Sequence, residues 1–327
     1  MIELSIAISS PQPPTQPMGY YARPNEYQMS ISDKHPPLDD YLARNDTLAA
    51  LALIERGQVY DLDCGRYPGM PVYEGHPPFQ VVNYRTSRGI EKQCDHQWWL
   101  DPKGTGNNKV SFGWNSEMVL ASMHSGTHID ALSHVTKGPN DEWFNGANAE
   151  EDLGDFGPLK YDAAEIPPIV LRGVLLDVPG AKDIRALPSH YPITPGDLEA
   201  TLEAQNTTIA PGMAVLVRTG YLSAWPDAEK ENYFQAGINL ESAEFLADAG
   251  AVLIAGDTEG LENQPSTTPN NPFPVHIELL VDRGVYIVEM VYMEDLARDQ
   301  QYEFCFICLP LKIKGATGSL VRPIAVA

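Results

Sequence analysis

Three of the eight histidines fall within eleven positions, in His124-Ser125-Gly126-Thr127-His128-Ile129-Asp130-Ala131-Leu132-Ser133-His134. Neutral imidazole nitrogens and a carboxylate oxygen at this density form a good ligand set for zinc, manganese or iron. If Thr127 to Ala131 is extended, the two-residue side-chain period puts His128 and Asp130 on one side, whereas on a helix they would point roughly 200° apart. Ser125-Gly126 permits a tight turn that folds His124 back toward the same point. His134 lies further along, where it can reach a water held by the metal without being a ligand. The bland alternative is a loop of hydrogen-bonded histidines. Against it stand four ionisable groups in so short a span and the apolar flanks, Met118 to Ala121 and Ile129 to Leu132. Those flanks imply partial burial, and buried imidazole or carboxylate without a partner is costly.

Two distant residues could complete the site. On a helix expected over 274–283, His276 shares a face with Leu279 and Leu280 at i+3 and i+4, so it points inward, although a satisfied core histidine reads the same way. On the strand expected next, Val285, Ile287, Glu289 and Val291 share one face, which sets a carboxylate in an apolar row where it needs a cation, a donor or a proton. Other signals are weaker. Cys305-Phe306-Ile307-Cys308 has CxxC spacing, but on a strand positions i and i+3 face opposite sides, and no second pair completes a zinc ribbon. His76 and His96 read as isolated loop residues. Trp98, Trp99, Trp114, Trp143 and Phe79 read as core or oligomer contacts, with the loops that bear them able to close over a substrate ring. No Gly-x-Ser-x-Gly elbow and no phosphate-binding glycine loop is present.

The elements that must position these residues follow from the rest of the chain. Its 327 residues, 43% hydrophobic, suffice for a large core. Twenty-two basic against 44 acidic side chains leave a net charge of −22, a field that repels polyphosphate and anionic lipid and argues against nucleic-acid or membrane partners. With 28 prolines and 26 glycines the chain needs many turns, which excludes an all-helical bundle. Residues 1–38 form a Pro-rich arm and 39–327 one domain. A helix is expected from Leu38 to Arg56, stopped by Gly57, and irregular β structure from Val59 to about Gly113. Beyond it, strands at 170–178, 213–218, 252–255 and 285–291 alternate with helices at 194 onward, 240–249 and 274–283, an α/β pattern. Thr194-Pro195-Gly196-Asp197 carries a helix-start signature. No run is apolar enough to span a bilayer, Met1 to Ile8 contains Glu3 in place of a basic cluster, and four scattered cysteines imply reduced thiols. A cytoplasmic protein is the expectation.

The run from His124 to Asp130, continuing to His134, resembles the signature of the metal-dependent cyclase-like hydrolase family, that of bacterial kynurenine formamidases, isatin hydrolases and trans-dienelactone hydrolases. The resemblance extends over Asp257-Thr258, the His276 helix with the Glu289 strand, Leu309 to Ile313 and Gly315 to Gly318. It implies a swivelling β/β/α-type single domain with a mixed sheet and flanking helices, assembled as a homodimer or homotetramer. It further implies one or two divalent ions, zinc or manganese. His124, His128 and Asp130 match metal ligands, His276 and Glu289 match ligands of a second ion, and His134 matches the acid/base residue. Asp257 is a candidate for the surrounding shell only. Leu132-Ser133 stands where the family pattern commonly has proline, and the stretch from His276 to Glu289 is one residue longer than the resemblance implies. The expected activity is hydrolysis of an amide or ester in a small molecule such as a lactone, cyclic amide or N-formyl arylamine. Metal-assisted cyclisation or elimination on the same residues, or a noncatalytic metal-binding scaffold, are the rivals; a sphere closed by four protein ligands would favour the scaffold.

Overall fold

A computed structural model describes residues 37–39, 47–92, 97–225 and 235–327; the arm expected over 1–38 lies almost entirely outside them. The longest apolar runs of the sequence form the middle of a nine-stranded mixed sheet. Its strands are β1 (Val59–Asp61), β2 (His128–Asp130), β3 (Ile169–Asp177), β4 (Ala214–Arg218), β5 (Leu253–Gly256), β6 (Tyr286–Glu289), β7 (Glu303–Cys308), β8 (Gly318–Leu320) and β9 (Ile324–Val326). In space they run β1-β9-β7-β3-β4-β5-β6-β2-β8. β3 to β6 are mutually parallel, and the flanking pairs are antiparallel. Parallel strands are covered on both faces, and accordingly every residue of β4, β5 and β6 is buried. This is the mixed α/β domain with flanking helices that the resemblance implied.

Helices make the parallel crossovers. After α1 (Thr47–Leu51), α2 (Pro195–Gln205) joins β3 to β4, α3 (Leu240–Asp248) joins β4 to β5, and α4 (Pro274–His276) opens the link from β5 to β6. Thr194 and Asp197 form a reciprocal capping box at the start of α2, each side chain accepting from the other's backbone N–H. α4 does not continue as an α-helix. Ile277–Arg283 winds as a π-helix and ends at Gly284 with φ +68°. His276, Leu279 and Leu280 are nonetheless all buried, as expected.

Two expectations change. Of the helix foreseen from Leu38 to Arg56, the described residues are helical at 37–39 and at Thr47–Leu51, and the chain leaves the helix after Leu51, short of Arg56. Leu48, Leu51 and Ile54 are exposed, while Ala50 is buried against Cys305 and Val326, so little apolar surface holds the turns beyond Leu51 in a helix. Within the irregular first half, Gln80–Arg85 pairs antiparallel with Ser116–Leu120 as a ribbon, with a short helix, Ser87–Lys92, following its first strand. Val81, Val82 and Tyr84 on one strand and Met118, Val119 and Leu120 on the other are exposed, and Trp98 is 95% exposed. Among the described residues no helix is long and apolar enough to cross a membrane.

The α2 start generates a stability prediction. Burial pushes the Asp197 carboxyl up, but hydrogen bonds from Lys182, Thr194 and Tyr191 outweigh it and bring its pKa to about 2. A depressed folded pKa gives stability that is present above the unfolded value of about 4 and lost as pH falls toward 2. Thr194→Ala should cost about 1 kcal/mol, read as a lower urea midpoint at unchanged slope. Asp197→Asn should be less stable than the wild type at neutral pH and indistinguishable from it near pH 2.

Candidate metal centre

β2 is only three residues long, His128-Ile129-Asp130, and lies between β6 and β8. In the antiparallel register Glu289 pairs with His128, and Ile287 and Gly318 both pair with Asp130. Residues opposite one another share a face. His128, Asp130 and Glu289 therefore project together, while Ile129 enters the core on the other side.

The loop before β2 returns His124 to the same point. Gly126 adopts φ +61°, and a Cβ there would lie 3.2 Å from Arg66 Cγ and Met70 Cε and 3.3 Å from Cys64 Sγ, so both its conformation and its surroundings call for glycine. Arg66 donates from Nε to Ser125 O at 3.0 Å and from Nη2 to Val321 O at 2.9 Å and to Thr127 O, while Asp63 holds its other edge. Thr127 Oγ1 accepts from Cys64 N and donates to Met290 O. His124 then lies with Nδ1 2.8 Å from Asp130 Oδ1 and Nε2 3.0 Å from Thr317 Oγ1. Gly318, across from Asp130, leaves the space for this ring: a Cβ there would be 2.6 Å from His124 Cε1.

His276 arrives from α4. Its Nε2 is 3.2 Å from Glu289 Oε1 and 3.8 Å from Asp130 Oδ2, and Glu289 Oε2 is 3.2 Å from His128 Nε2. Two triplets converge, each with one ligand atom per residue and all within 4.8 Å: His124, His128 and Asp130, and Asp130, His276 and Glu289. Asp130 is common to both. All five metal-ligand candidates of the sequence are thus brought together.

Both buried imidazoles are oriented from behind. His128 Nδ1–H donates to Gly126 O at 2.7 Å, and His276 Nδ1–H donates to Glu262 Oε1 at 2.6 Å, which leaves both Nε2 atoms facing the carboxylates as metal ligands require. Glu262 also accepts from the backbone N–H groups of Val275 and His276 at the start of α4, where a helix favours an anion. Sequence reading passed over Glu262, Arg66 and Thr317. Glu262 followed Asp257-Thr258 in a segment without helix or strand periodicity, and nothing local marked it as buried.

The electrostatics fit a cation. Burial disfavours the protonated imidazole of His128 and of His276, yet Glu289 with Asp130, and Glu262 with Glu289, hold their pKa values above the ordinary range. Burial likewise opposes ionisation of Asp130 and Glu289, and the neighbouring imidazoles bring both below the ordinary carboxylate range. His128 Nε2, Asp130 Oδ2 and Glu289 Oε1 are buried and make no hydrogen bond. Three such atoms facing each other are the pattern expected when a divalent ion is the missing partner.

His134 stacks its ring on that of His124 at 3.9 Å and 23°, and its centroid is 6.3 Å from that of His276. Burial pushes its pKa down to about 4, against the pull of Asp130, so the ring is neutral at neutral pH. The Leu132-Ser133 path is held by a turn from Ala131 to His134 and by Ser133 donating to Tyr161 O. A cavity of about 590 Å³ adjoins the cluster, lined by His124, Thr317, Ser133, Met123, Trp143 and Leu153 among others. His76 is no isolated loop residue: its ring centroid is 6.0 Å from that of His124. His96 lies outside the described residues. Asp257 accepts from Thr219 N, Thr219 Oγ1 and Gly220 N, and burial pushes its pKa up to about 6. Its oxygens are thus committed to the turn after β4. Cys305 and Cys308 belong to different apolar clusters and neither is in a metal-binding group among the described residues.

A mixed α/β domain that gathers imidazoles and carboxylates in a buried cluster able to hold a metal ion defines the class. Residues 2–263 match the family described as putative cyclase, and the chain belongs to that family. Cyclase-like protein 2 of Oryza sativa subsp. japonica is 27% identical over 217 residues, 65% of this chain and 65% of the relative's length. Cyclase-like protein 2 of Arabidopsis thaliana is 24% identical over 278 residues, 83% of this chain and 79% of that protein. Among solved structures, one described as a novel cyclase is 27% identical with a TM-score of 0.76, covering 90% of this chain and 95% of its own. Isatin hydrolase A from Ralstonia solanacearum shares the fold at 18% identity and a TM-score of 0.58, covering 91% of this chain and all (100%) of its own.

Two substitutions away from the ligand atoms test this geometry. Gly318→Ala forces the His124 ring aside, and Glu262→Gln removes the carboxylate that orients His276; each should weaken divalent-metal affinity by roughly 10–100-fold in a metal titration. Wild-type affinity in both would show that neither contact positions a ligand.

Proposed function

We propose that this chain is a metal-dependent hydrolase that opens an amide or ester bond in a small molecule, a lactone, cyclic amide or N-formyl arylamine. The observation that carries the reading is the convergence of His128 Nε2, Asp130 Oδ2 and Glu289 Oε1, buried and without hydrogen bonds. His124, His128 and Asp130 would hold one divalent ion, and Asp130, His276 and Glu289 a second. Nitrogen and oxygen donors in these numbers suit zinc or manganese. Such an ion lowers the pKa of a water to about 7 and polarises a carbonyl. The neutral His134 ring takes a proton and returns it to the leaving nitrogen or oxygen. No side-chain nucleophile is needed, and Ser125 lies buried in the loop behind the ligands. The shared fold of the isatin hydrolases supports the reaction class, and the cavity beside His124 gives a small organic substrate room. Free thiols at Cys64, Cys305 and Cys308 fit a reducing cytoplasm.

Purified protein should contain divalent metal and hydrolyse members of a panel of N-formyl arylamines, cyclic imides and lactones, incorporating oxygen from labelled water. Cyclisation or elimination would leave that label in the solvent. His128→Ala should lose most of its bound metal. His134→Ala should keep the metal and lose roughly 10²–10⁴-fold in kcat; unchanged turnover would remove its catalytic role.

We also propose a homo-oligomer. A two-stranded ribbon is marginal alone in water, and the one formed by Gln80–Arg85 and Ser116–Leu120 exposes Val82, Tyr84, Met118 and Leu120, which a second copy would cover. Light scattering should give a dimer or tetramer, and Val82→Lys with Met118→Lys should shift it toward monomer.

A further inference from the structure

The segment Tyr73-Glu74-Gly75-His76 closes as a tight turn, with His76 N–H donating to Tyr73 O at 3.0 Å. Gly75 occupies its third position with φ +95°, the left-handed conformation that a type II turn requires there and that glycine adopts freely. Pro77 and Pro78 follow directly, and a proline restricts the backbone of the residue before it. Met70 and Phe79, at the two ends of the segment, are buried. His76 is thus carried on a stiff turn with anchored ends.

That turn delivers its imidazole to the cluster. The ring centroid is 6.0 Å from that of His124 and 5.8 Å from that of Tyr73. The ring hydrogen-bonds the His124 backbone and is close enough to feel the charges of His124, His128 and Glu289, yet its buried Nδ1 has no hydrogen-bond partner. The nearest candidates to need support already have it. His124 is held by Asp130 and Thr317, and His128 by Gly126 O. An unsatisfied buried donor or acceptor is costly, and here the fold keeps one beside the centre.

Resting on the hydrolase reading, we propose that His76 contacts the substrate: its Nδ1 hydrogen-bonds a polar atom of the carbonyl compound bound at the metal centre and so fixes that compound's orientation. It lies on the first-half turn, whereas His134 lies past the metal loop, so the two imidazoles serve different atoms. His134 moves the proton, and His76 binds.

The test separates this role from metal ligation and from the reaction itself. His76→Phe keeps a ring against Tyr73 and removes both nitrogens; His76→Gln restores a hydrogen-bonding group. Each is loaded with Co²⁺, metal content is measured, and azide, a small anion that takes an open coordination position, is titrated by visible absorption. Metal content should equal wild type in both. The azide Kd should rise about tenfold in His76→Phe, the worth of one hydrogen bond, and recover in His76→Gln. On a hydrolysed substrate kcat/KM should fall by a similar factor. Unchanged azide affinity in His76→Phe overturns the proposal, as does loss of metal, which would make His76 a ligand. Should His76→Phe fail to fold, His76→Ala carries the same comparison. A wild type that hydrolyses nothing on the panel defeats the hydrolase reading, while the azide titration still decides His76.

Discussion

Asp130 and Glu289 are buried carboxylates on adjacent strands, facing the same side of the sheet. Two like charges about 4 Å apart repel by about 4 kcal/mol even at an effective dielectric of 20, and withdrawing each from water costs several kcal/mol more. Such a pair persists only if positive charge is brought to it. The surrounding chain is organised around that demand. His124, His128 and His276 approach from a loop, a strand and a helix, and no lysine or arginine pairs with either carboxylate among the described residues. Imidazoles can serve as neutral ligands as readily as protonated partners, so the centre accepts a divalent ion without rebuilding.

Holding five ligand atoms within reach of one another takes rigidity, and it comes from backbone contacts as much as from packing. The three-residue β2 is fixed on both edges, by β6 and by β8. Arg66 gathers the carbonyls of Ser125, Thr127 and Val321, so that one side chain ties the loop before β2 to the end of β8. Gly318 supplies room, and Glu262 couples the direction of His276 to the start of its helix. The π-helical stretch that follows His276 ends at Gly284 and leads into β6, which carries Glu289.

Arg172 aside, the charged residues of the parallel strands fall at or just beyond their carboxyl ends, as is usual where an open α/β sheet carries a site. Asp177 ends β3, Arg218 ends β4, Asp257 follows β5 and Glu289 ends β6. Only Glu289 belongs to the metal cluster. Arg218 is clasped between Asp177 and Glu294, and Asp257 caps a turn. One sheet edge thus divides into an end beside β2 that joins the candidate metal cluster and an end beside β3 whose polar groups pair with one another.

The residues that converge were legible in the sequence because their signals are local. His128 and Asp130 are two positions apart on a strand, Gly126 permits the return of His124, and Glu289 stands in an apolar row. Each follows from the period of a strand or the freedom of a glycine. The strands and helices of the second half were legible for the same reason, since burial of parallel strands leaves long apolar runs. What required the tertiary structure is whatever depends on contacts between distant segments. Leu48, Leu51 and Ile54 stay exposed while Ala50 packs on Cys305 and Val326, so the helix ends at Leu51 and not at Arg56. Glu262, Arg66 and Thr317 carry no mark of their roles until α4, β2 and β8 are in place. His76, an ordinary histidine in a proline-rich turn, acquires its neighbours only when that turn is laid against the metal loop. Side-chain periodicity is written in consecutive residues; which buried polar atom faces which is set by the packing of elements far apart in the chain.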